Sequence, residues 1–363
     1  MPSSRIKSVE ELRHYLYLAM QLEHATIPPY LLALYSIRPG TNSDAAHVLR
    51  VVVVEEMLHL TLSANILNAV GGKPDLTTPG FVPLYPAALP DGETDFKVDL
   101  QPFSKDALET FLHIERPGKA PDEAHRLISR KRESGAMLGV CPGETDLHFY
   151  SIGEFYEEIE RGLKHLHEKE GAKLFSGAIE RQVTPEFYYS GGGELLAVTD
   201  IKSALAAAHL IIGQGEGLGG EIYNKEHELA HFYRFEQLKL GKYYQAGDKP
   251  GAPTGPPVSV DWDAAYPIKT NARLEDYPSG SELHAAAVAF NQSYADFLAM
   301  LTAAYNGKPS LLLEAVPQMF RLRNSINQLI HNPIPGKSGV NAAPTFEFDG
   351  VVAKPSFAEE AIA

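Results

Sequence analysis

Glu55-Glu56-Met57-Leu58-His59 is the stretch whose reading decides the fold. Glu56 and His59 stand three residues apart. Three residues of α-helix turn about 300°, so the two side chains lie about 60° apart on one face. A carboxylate and an imidazole so placed can chelate one metal ion. The surrounding residues read as a helix over 43–70. Val52, Glu56, His59, Ser63, Ile66 and Val70 follow one seam, and Gly71-Gly72 provides a stop. An acid and an imidazole inside an apolar stripe are costly to bury unless they pair with each other or bind metal. Glu55 lies about 100° off that seam and is the weaker candidate for the inward carboxylate.

The preceding helix offers a further ligand. Ser8-Val9-Glu10-Glu11 reads as a capping box opening a helix that runs to about Ile37. Leu12, Tyr15, Leu16, Ala19, Leu22, Thr26 and Tyr30 recur along it. Glu23, within Gln21-Leu22-Glu23-His24, falls inside the apolar seam. Pro28-Pro29 is expected to kink the helix about one turn later, and Arg38-Pro39-Gly40 ends it. Glu23, Glu56 and His59 thus form one half of a metal site.

A second half has to come from later in the chain. Residues 73–148 are punctuated by proline and read as an excursion between bundle helices. It carries a short strand near 96–100 and short helices near 105–114 and 122–131. A third long helix is predicted over 151–169, with core stripe Ile152, Phe155, Ile159, Leu163 and Leu166. Its acids Glu154, Glu157, Glu158 and Glu160 all miss that stripe, so periodicity chooses no ligand among them. His165 and His167 near its end suit the helix dipole. After a loop with Gly191-Gly192-Gly193, a fourth helix over 199–216 aligns Ile201, Leu205, Ala208, His209, Ile212 and Glu216. Glu216 falls in an apolar stripe as Glu23 and Glu56 do, and His209 reads as a core histidine. Residues 215–220 match G-x-G-x-x-G, but a dinucleotide fingerprint needs a strand before it, and here a helix precedes it. A further helix over 226–240 contains Glu228-Leu229-Ala230-His231, a second E-x-x-H. Either Glu228 or Glu216 can partner His231. Glu216 and His231 are 15 residues apart, about 22 Å on an unbroken helix, so they meet only if 217–225 loops out.

Residues 243–280 read as an irregular strap holding the single tryptophan, Trp262. Two helices follow, over 281–305 and 310–331, joined by Asn306-Gly307-Lys308-Pro309. They form an αα-hairpin expected to pack on the bundle. The chain therefore divides into a metal-binding bundle, 1–240, with the insertion 73–148, and a strap with hairpin, 241–363.

Composition narrows the function. A formal charge of −14 argues against a nucleic-acid surface. The single cysteine, Cys141, beside Pro142-Gly143, forbids an intrachain disulfide and thiolate-rich metal sites. It reads as a structural loop residue. No apolar run approaches the ~20 residues of a membrane span, and residues 1–11 lack a secretory core, so the cytoplasm is the default compartment. A homo-oligomer is compatible with these features.

Four long helices with inward acids and two E-x-x-H pairs are the arrangement of ferritin-like carboxylate bundles. Carboxylate oxygens and imidazole nitrogens suit iron or manganese. Six runs carry a resemblance to a known family: Glu23-His24-x-x-x-Pro28, the 55–59 run, Gly71-Gly72-x-Pro74, Ile152-Gly153-Glu154-Phe155-Tyr156, Gln214-Gly215-Glu216-Gly217 and His231-Phe232-x-x-Phe235. With Phe290-Asn291-x-x-Tyr294 and Ala315-Val316-x-x-Met319, they resemble the ferritin-like domain of the iminophenylpyruvate dimer synthases, imine-coupling enzymes of violacein- and rebeccamycin-type pathways. The resemblance implies an all-α, ferritin-like four-helix bundle with long insertions. It favours Glu154 on the third helix and Glu216 with His231 on the fourth.

The expected function is a di-iron oxidoreductase that uses O2 on a small organic, amino-acid-derived substrate in a pocket adjoining the site. Glu23, Glu56 and His59 would hold one ion and Glu154, Glu216 and His231 the other, with Glu56 and Glu216 as bridges. Manganese or a mixed pair is the alternative metal content. Glu228, Glu158 and Glu157 are the alternative ligands. The competing expectation is an iron-handling protein without an organic substrate.

Overall fold

The computed structural model describes residues 4–90, 96–118, 149–189, 191–217, 222–224, 227–348, 351 and 353. The expected helix over 122–131 and Cys141 lie outside these residues. Eight α-helices are present among them: α1 (Val9–Ser36), α2 (Ser43–Ala69), α3 (Lys105–Ile114), α4 (Ile152–Glu170), α5 (Ile201–Gly215), α6 (His231–Leu240), α7 (Glu282–Ala304) and α8 (Leu311–Ile330). Backbone pairing outside helices is confined to isolated bridges, such as Ala87 with Val98 where a short strand was expected.

Helix starts follow local chemistry. Ser8 accepts from the Glu11 amide at 3.2 Å while Glu11 accepts from the Ser8 amide at 3.0 Å, closing the capping box of α1. Such a cap contributes about 1 kcal/mol. Ser151 caps α4, and Asp200 with Ser203 boxes α5. In contrast, α6 opens at His231 without a side-chain cap. The helix expected from residue 226 is thus shorter by a turn, and Glu228 lies outside it.

Helices α1, α2, α4 and α5 pack as a four-helix bundle: α1 on α2, α4 on α5, α1 on α4 and α2 on α5. The hairpin α7–α8 packs on its outside, with α8 against α1. Pro28 and Pro29 do not interrupt α1, which runs continuously through both. Pro29 has no N–H to donate to the Ala25 carbonyl one turn back. The hydroxyl of Tyr85, from the proline-rich excursion, donates to that carbonyl instead, at 2.8 Å.

Helices α1 and α2 are buried almost all round in their middle thirds. A helix buried on every side is one sandwiched between layers. On α1, Glu23, Thr26 and Tyr30 face the bundle interior, while His24, Leu31 and Tyr35 face the hairpin and line an apolar cavity of about 420 Å³. On α2, Glu56 and His59 take the first face, and Val54, Met57 and Thr61 the second.

His24 illustrates the cost of the second face. Burial drives its pKa down to about 3, so the ring is neutral, and Nε2 lies 2.9 Å from the Tyr294 hydroxyl. Its folded pKa lies below the unfolded value of about 6.5. The stability it contributes is therefore present above pH 6.5 and is lost as pH falls toward 3. The slope is at most about 1.4 kcal/mol per pH unit. Urea denaturation at pH 7.5 and 5.5 is expected to show that His24→Gln loses about 1 kcal/mol less than the unmodified protein over this interval.

Candidate metal centre

Five buried side chains meet inside the bundle. Glu23, Glu56 and His59 form one group whose ligand atoms lie within 4.8 Å of one another; Glu56, Glu115 and His231 form a second. Glu56 belongs to both. Its Oε1 lies 3.9 Å from His59 Nδ1 and 3.0 Å from His231 Nδ1, while its Oε2 accepts from Thr26 at 3.0 Å.

The two halves are built alike around Glu56. In the first, Glu23 Oε2 lies 3.4 Å from His59 Nδ1, and Glu23 Oε1 accepts from the Tyr156 hydroxyl. In the second, Glu115 Oε2 lies 3.3 Å from His231 Nδ1, and Glu115 Oε1 accepts from Tyr30 at 2.6 Å. Burial first, then the neighbouring carboxylates, hold both tyrosines protonated by raising their pKa well above 10.

Each imidazole is fixed through its other nitrogen. His59 Nε2 lies 2.9 Å from the Gln214 side-chain oxygen, and Gln214 in turn donates to the Gly192 carbonyl at 2.6 Å. His231 Nε2 lies 2.7 Å from Glu55 Oε2, and Glu55 Oε1 is 3.3 Å from Arg234. With a hydrogen on Nε2, Nδ1 of both rings is the atom turned toward the carboxylates, where it holds a proton or binds a metal ion. Gly192 has φ +77, and a Cβ there would sit 2.9 Å from the Glu55 Cα, so the loop needs glycine to close on this point.

The electrostatics favour a cation. Among the described residues, Glu23, Glu56 and Glu115 have no Lys or Arg partner. Burial and then the Glu115 charge push Glu56 up to about 8. Burial alone would lower His231, but Glu115, Glu55 and Glu56 raise it well above the ordinary histidine value. His59 is raised against burial by Glu23 and Glu56. Protons thus take up the charge that a metal ion would take up. His231 Nδ1 is fully buried between two carboxylates and is aligned for a hydrogen bond to neither. An unsatisfied buried nitrogen of this kind fits a metal ligand.

The other sequence candidates lie elsewhere. Glu216 is buried, but its carboxylate accepts from the amide of Gly153, in the first turn of α4, and from that of Gly118, which follows α3. Gly153 allows this approach, since a Cβ there would come within 2.4 Å of Glu216 Oε2. Burial raises Glu216 to about 7, and these amides oppose the rise. The positive end of a helix is a favourable place for an acid, which explains an inward Glu that joins neither group. Glu154 turns back to accept from the Tyr150 amide at 3.0 Å. Glu157 is exposed beside Arg161. Glu158 is buried, but accepts from Ser4 and the amides of Arg5 and Ile6, tying the N-terminal segment to α4. Glu228 is exposed, 3.8 Å from Arg234. His209 is not a core residue: it is exposed and lies 2.7 Å from Glu160.

The sequence reading misses Glu115 because it treats residues 73–148 as an excursion between bundle helices that supplies no ligand. The signal was available: Glu115 continues the Leu108, Phe111 and Leu112 stripe of α3 by one more turn, as Glu56 continues Val52 on α2. Glu55 was discounted by its angle on α2. It is buried all the same, because α6 packs there and brings His231 and Arg234 to it.

The sequence model of the ferritin-like family matches residues 16–240, well over half of the 363. The chain belongs to the ferritin-like family. The matched span contains both groups of candidate ligands. A crystal structure of a ferritin-like protein from Caulobacter vibrioides is similar over 94% of this chain and 99% of that one, with a TM-score of 0.59 and 22% identity. At that identity the likeness concerns the fold. No curated protein matches the chain. No helix among the described residues is long and apolar enough to cross a membrane.

Glu55 has a measurable role in this ferritin-like centre. It orients His231 as carboxylates behind metal-bound histidines do, and losing such a partner costs about 10–100-fold in metal affinity. Glu55→Gln keeps an acceptor but loses the charge facing Arg234. Titration with Mn(II) is expected to show about tenfold weaker binding at one of two sites.

Proposed function

We propose that this ferritin-like protein is a di-metal, di-iron in its working form, oxidoreductase that passes electrons from a small organic substrate to O2. The observation that carries the reading is Glu56, one carboxylate placed between two otherwise complete Glu/His pairs. A carboxylate shared by two ligand groups serves as a bridge, with Glu23 and His59 on one side and Glu115 and His231 on the other. The oxygen and nitrogen donor set suits iron, with manganese next.

Two bound iron ions would supply the one-electron steps that let O2 accept electrons from the substrate. The chain's residues set up the site for this. Tyr156 and Tyr30 each hold one oxygen of a terminal carboxylate and leave the other turned to an imidazole. Thr26 does the same for Glu56. Gln214 and Glu55 keep the hydrogens of His59 and His231 on Nε2. On metal binding, the protons held by Glu56 and the two Nδ1 atoms leave for solvent. The layers around α1 and α2 keep bulk water from the carboxylates.

The excursion supports an enzyme over an iron-handling protein, because it contributes the ligand Glu115 and the Tyr85 brace on α1. The sequence runs that resemble those of the imine-coupling enzymes support an amino-acid-derived substrate. The test is metal-free protein loaded anaerobically with two equivalents of Fe(II) and then given O2. An oxidoreductase continues to consume O2 when an oxidisable amino acid or its 2-imino acid is supplied as the only electron donor. Uptake that stops once the bound iron is oxidised, whatever organic compound is added, supports the iron-handling reading. No uptake at all rules out both.

A further inference from the structure

The cavity between the α1–α2 pair and the α7–α8 hairpin is a second site, separate from the carboxylate cluster. None of the cluster residues lines it; the helix pair stands between. Its volume of about 420 Å³ is in the range of small-molecule pockets. The wall is aliphatic and aromatic, with Leu31, Met57, Phe297 and Val316 as typical members. Its buried polar groups are mostly spent on one another: His24 Nε2 on the Tyr294 hydroxyl, and Thr61 on Tyr305 at 3.0 Å.

One end differs. Arg323 lines the cavity, is exposed, and lies with its guanidinium 5.8 Å from the centre of the Tyr35 ring. Arg50 is also exposed and stands one turn before Val54 on α2, the helix face that lines the cavity. Neither arginine has a carboxylate partner among the described residues. In a chain of net charge −14, one arginine over the Tyr35 ring at the cavity edge and a second on the neighbouring turn of α2, neither with a carboxylate partner among the described residues, make a local anion site.

We propose that this cavity binds an amphipathic carboxylate, with its apolar body between α1–α2 and α7–α8 and its carboxylate between Arg323 and Arg50 at Tyr35. The assignment rests on apolar enclosure and charge complementarity together. An apolar ligand without a charge would leave the arginines unused, and a free inorganic anion would leave the cavity unfilled. The site does not depend on the metal centre, so the two readings can fail separately.

Decanoate is the probe, with 1-decanol and decyltrimethylammonium as its neutral and cationic counterparts. Calorimetric titration of the full chain is expected to show one decanoate site, binding at least about tenfold more tightly than 1-decanol. The cation is expected not to bind. Arg323→Glu and Arg50→Glu, both surface changes, are each expected to weaken decanoate binding about tenfold or more and to leave 1-decanol binding unchanged. Ala315→Trp, which fills the cavity from α8, is expected to abolish binding of both. Glu56→Ala protein is expected to bind decanoate as the unmodified protein does. Failure of the full chain to bind decanoate overturns the proposal. So does decanoate binding that is indifferent to both charge reversals, or that disappears with Glu56→Ala.

Discussion

Glu56→Ala protein, exposed to excess Mn(II) and desalted, is expected to retain no ion, where the unmodified protein is expected to retain two. Among the described residues, Glu56 Oε1 is the one carboxylate oxygen near both Nδ1 atoms, 3.0 Å from His231 and 3.9 Å from His59. Its removal takes a ligand from both positions at once. Loss of a partner behind a ligand costs about 10–100-fold in affinity, so loss of a ligand shared by two ions exceeds that at each. Glu23→Ala and Glu115→Ala each remove a terminal carboxylate from one side, and each is expected to retain one ion. Glu216→Ala and Glu154→Ala remove carboxylates that face backbone amides, and both are expected to retain two. Elemental analysis of the five proteins gives the pattern. Two ions in Glu115→Ala, or one in Glu216→Ala, would return the second half of the site to the α4–α5 pair.

That contrast shows where the sequence was legible. Glu23, Glu56 and His59 sit on long helices whose seams can be counted, so their convergence follows from periodicity alone. His231 was found for a partly mistaken reason. It reads as the last residue of an E-x-x-H on one helix, yet it is the first residue of α6, and Glu228 stays outside in solvent. Its true partners come from α2 and the end of α3, which no local pattern connects to it. Glu216 misled because an apolar seam shows that a side chain points inward, not what it meets there; a helix N-terminus can satisfy a buried acid as a metal can. The resemblance that favoured Glu154 identified a run that is structurally important. In it, Gly153 gives Glu216 its amide and Tyr156 holds Glu23. The bundle itself is legible because the capping box of α1, the glycine stop of α2 and the apolar seams of the four long helices agree.

Stability should move in opposite directions with pH in the metal-free and metal-loaded proteins, and Glu56→Gln should flatten the first trend and remove the second. Glu56 is raised to about 8 in the fold against about 4.3 in an unfolded chain. A group with a raised folded pKa contributes stability that is complete below its unfolded value and is lost as pH climbs through the folded one. His59 and His231, both raised, act in the same direction. Metal-free protein is therefore expected to lose about 1–3 kcal/mol between pH 5.5 and 8.5. Glutamine mimics the protonated carboxyl in size and neutrality. Metal-free Glu56→Gln is expected to match the unmodified protein within about 1 kcal/mol at pH 6 and to decline less above pH 7. With Mn(II), the ligands must shed these protons, so binding tightens as pH rises. At a free concentration 1,000 times the dissociation constant, each bound ion adds about 4 kcal/mol to the unmodified protein. It should add almost nothing to Glu56→Gln. Urea midpoints with and without Mn(II), at pH 6 and 8, measure all four corners. A metal-free Glu56→Gln protein much less stable than the unmodified one would mean that the carboxylate holds the fold together by itself. The crowding of Glu23, Glu56 and Glu115 would then not be a cost that a metal ion relieves.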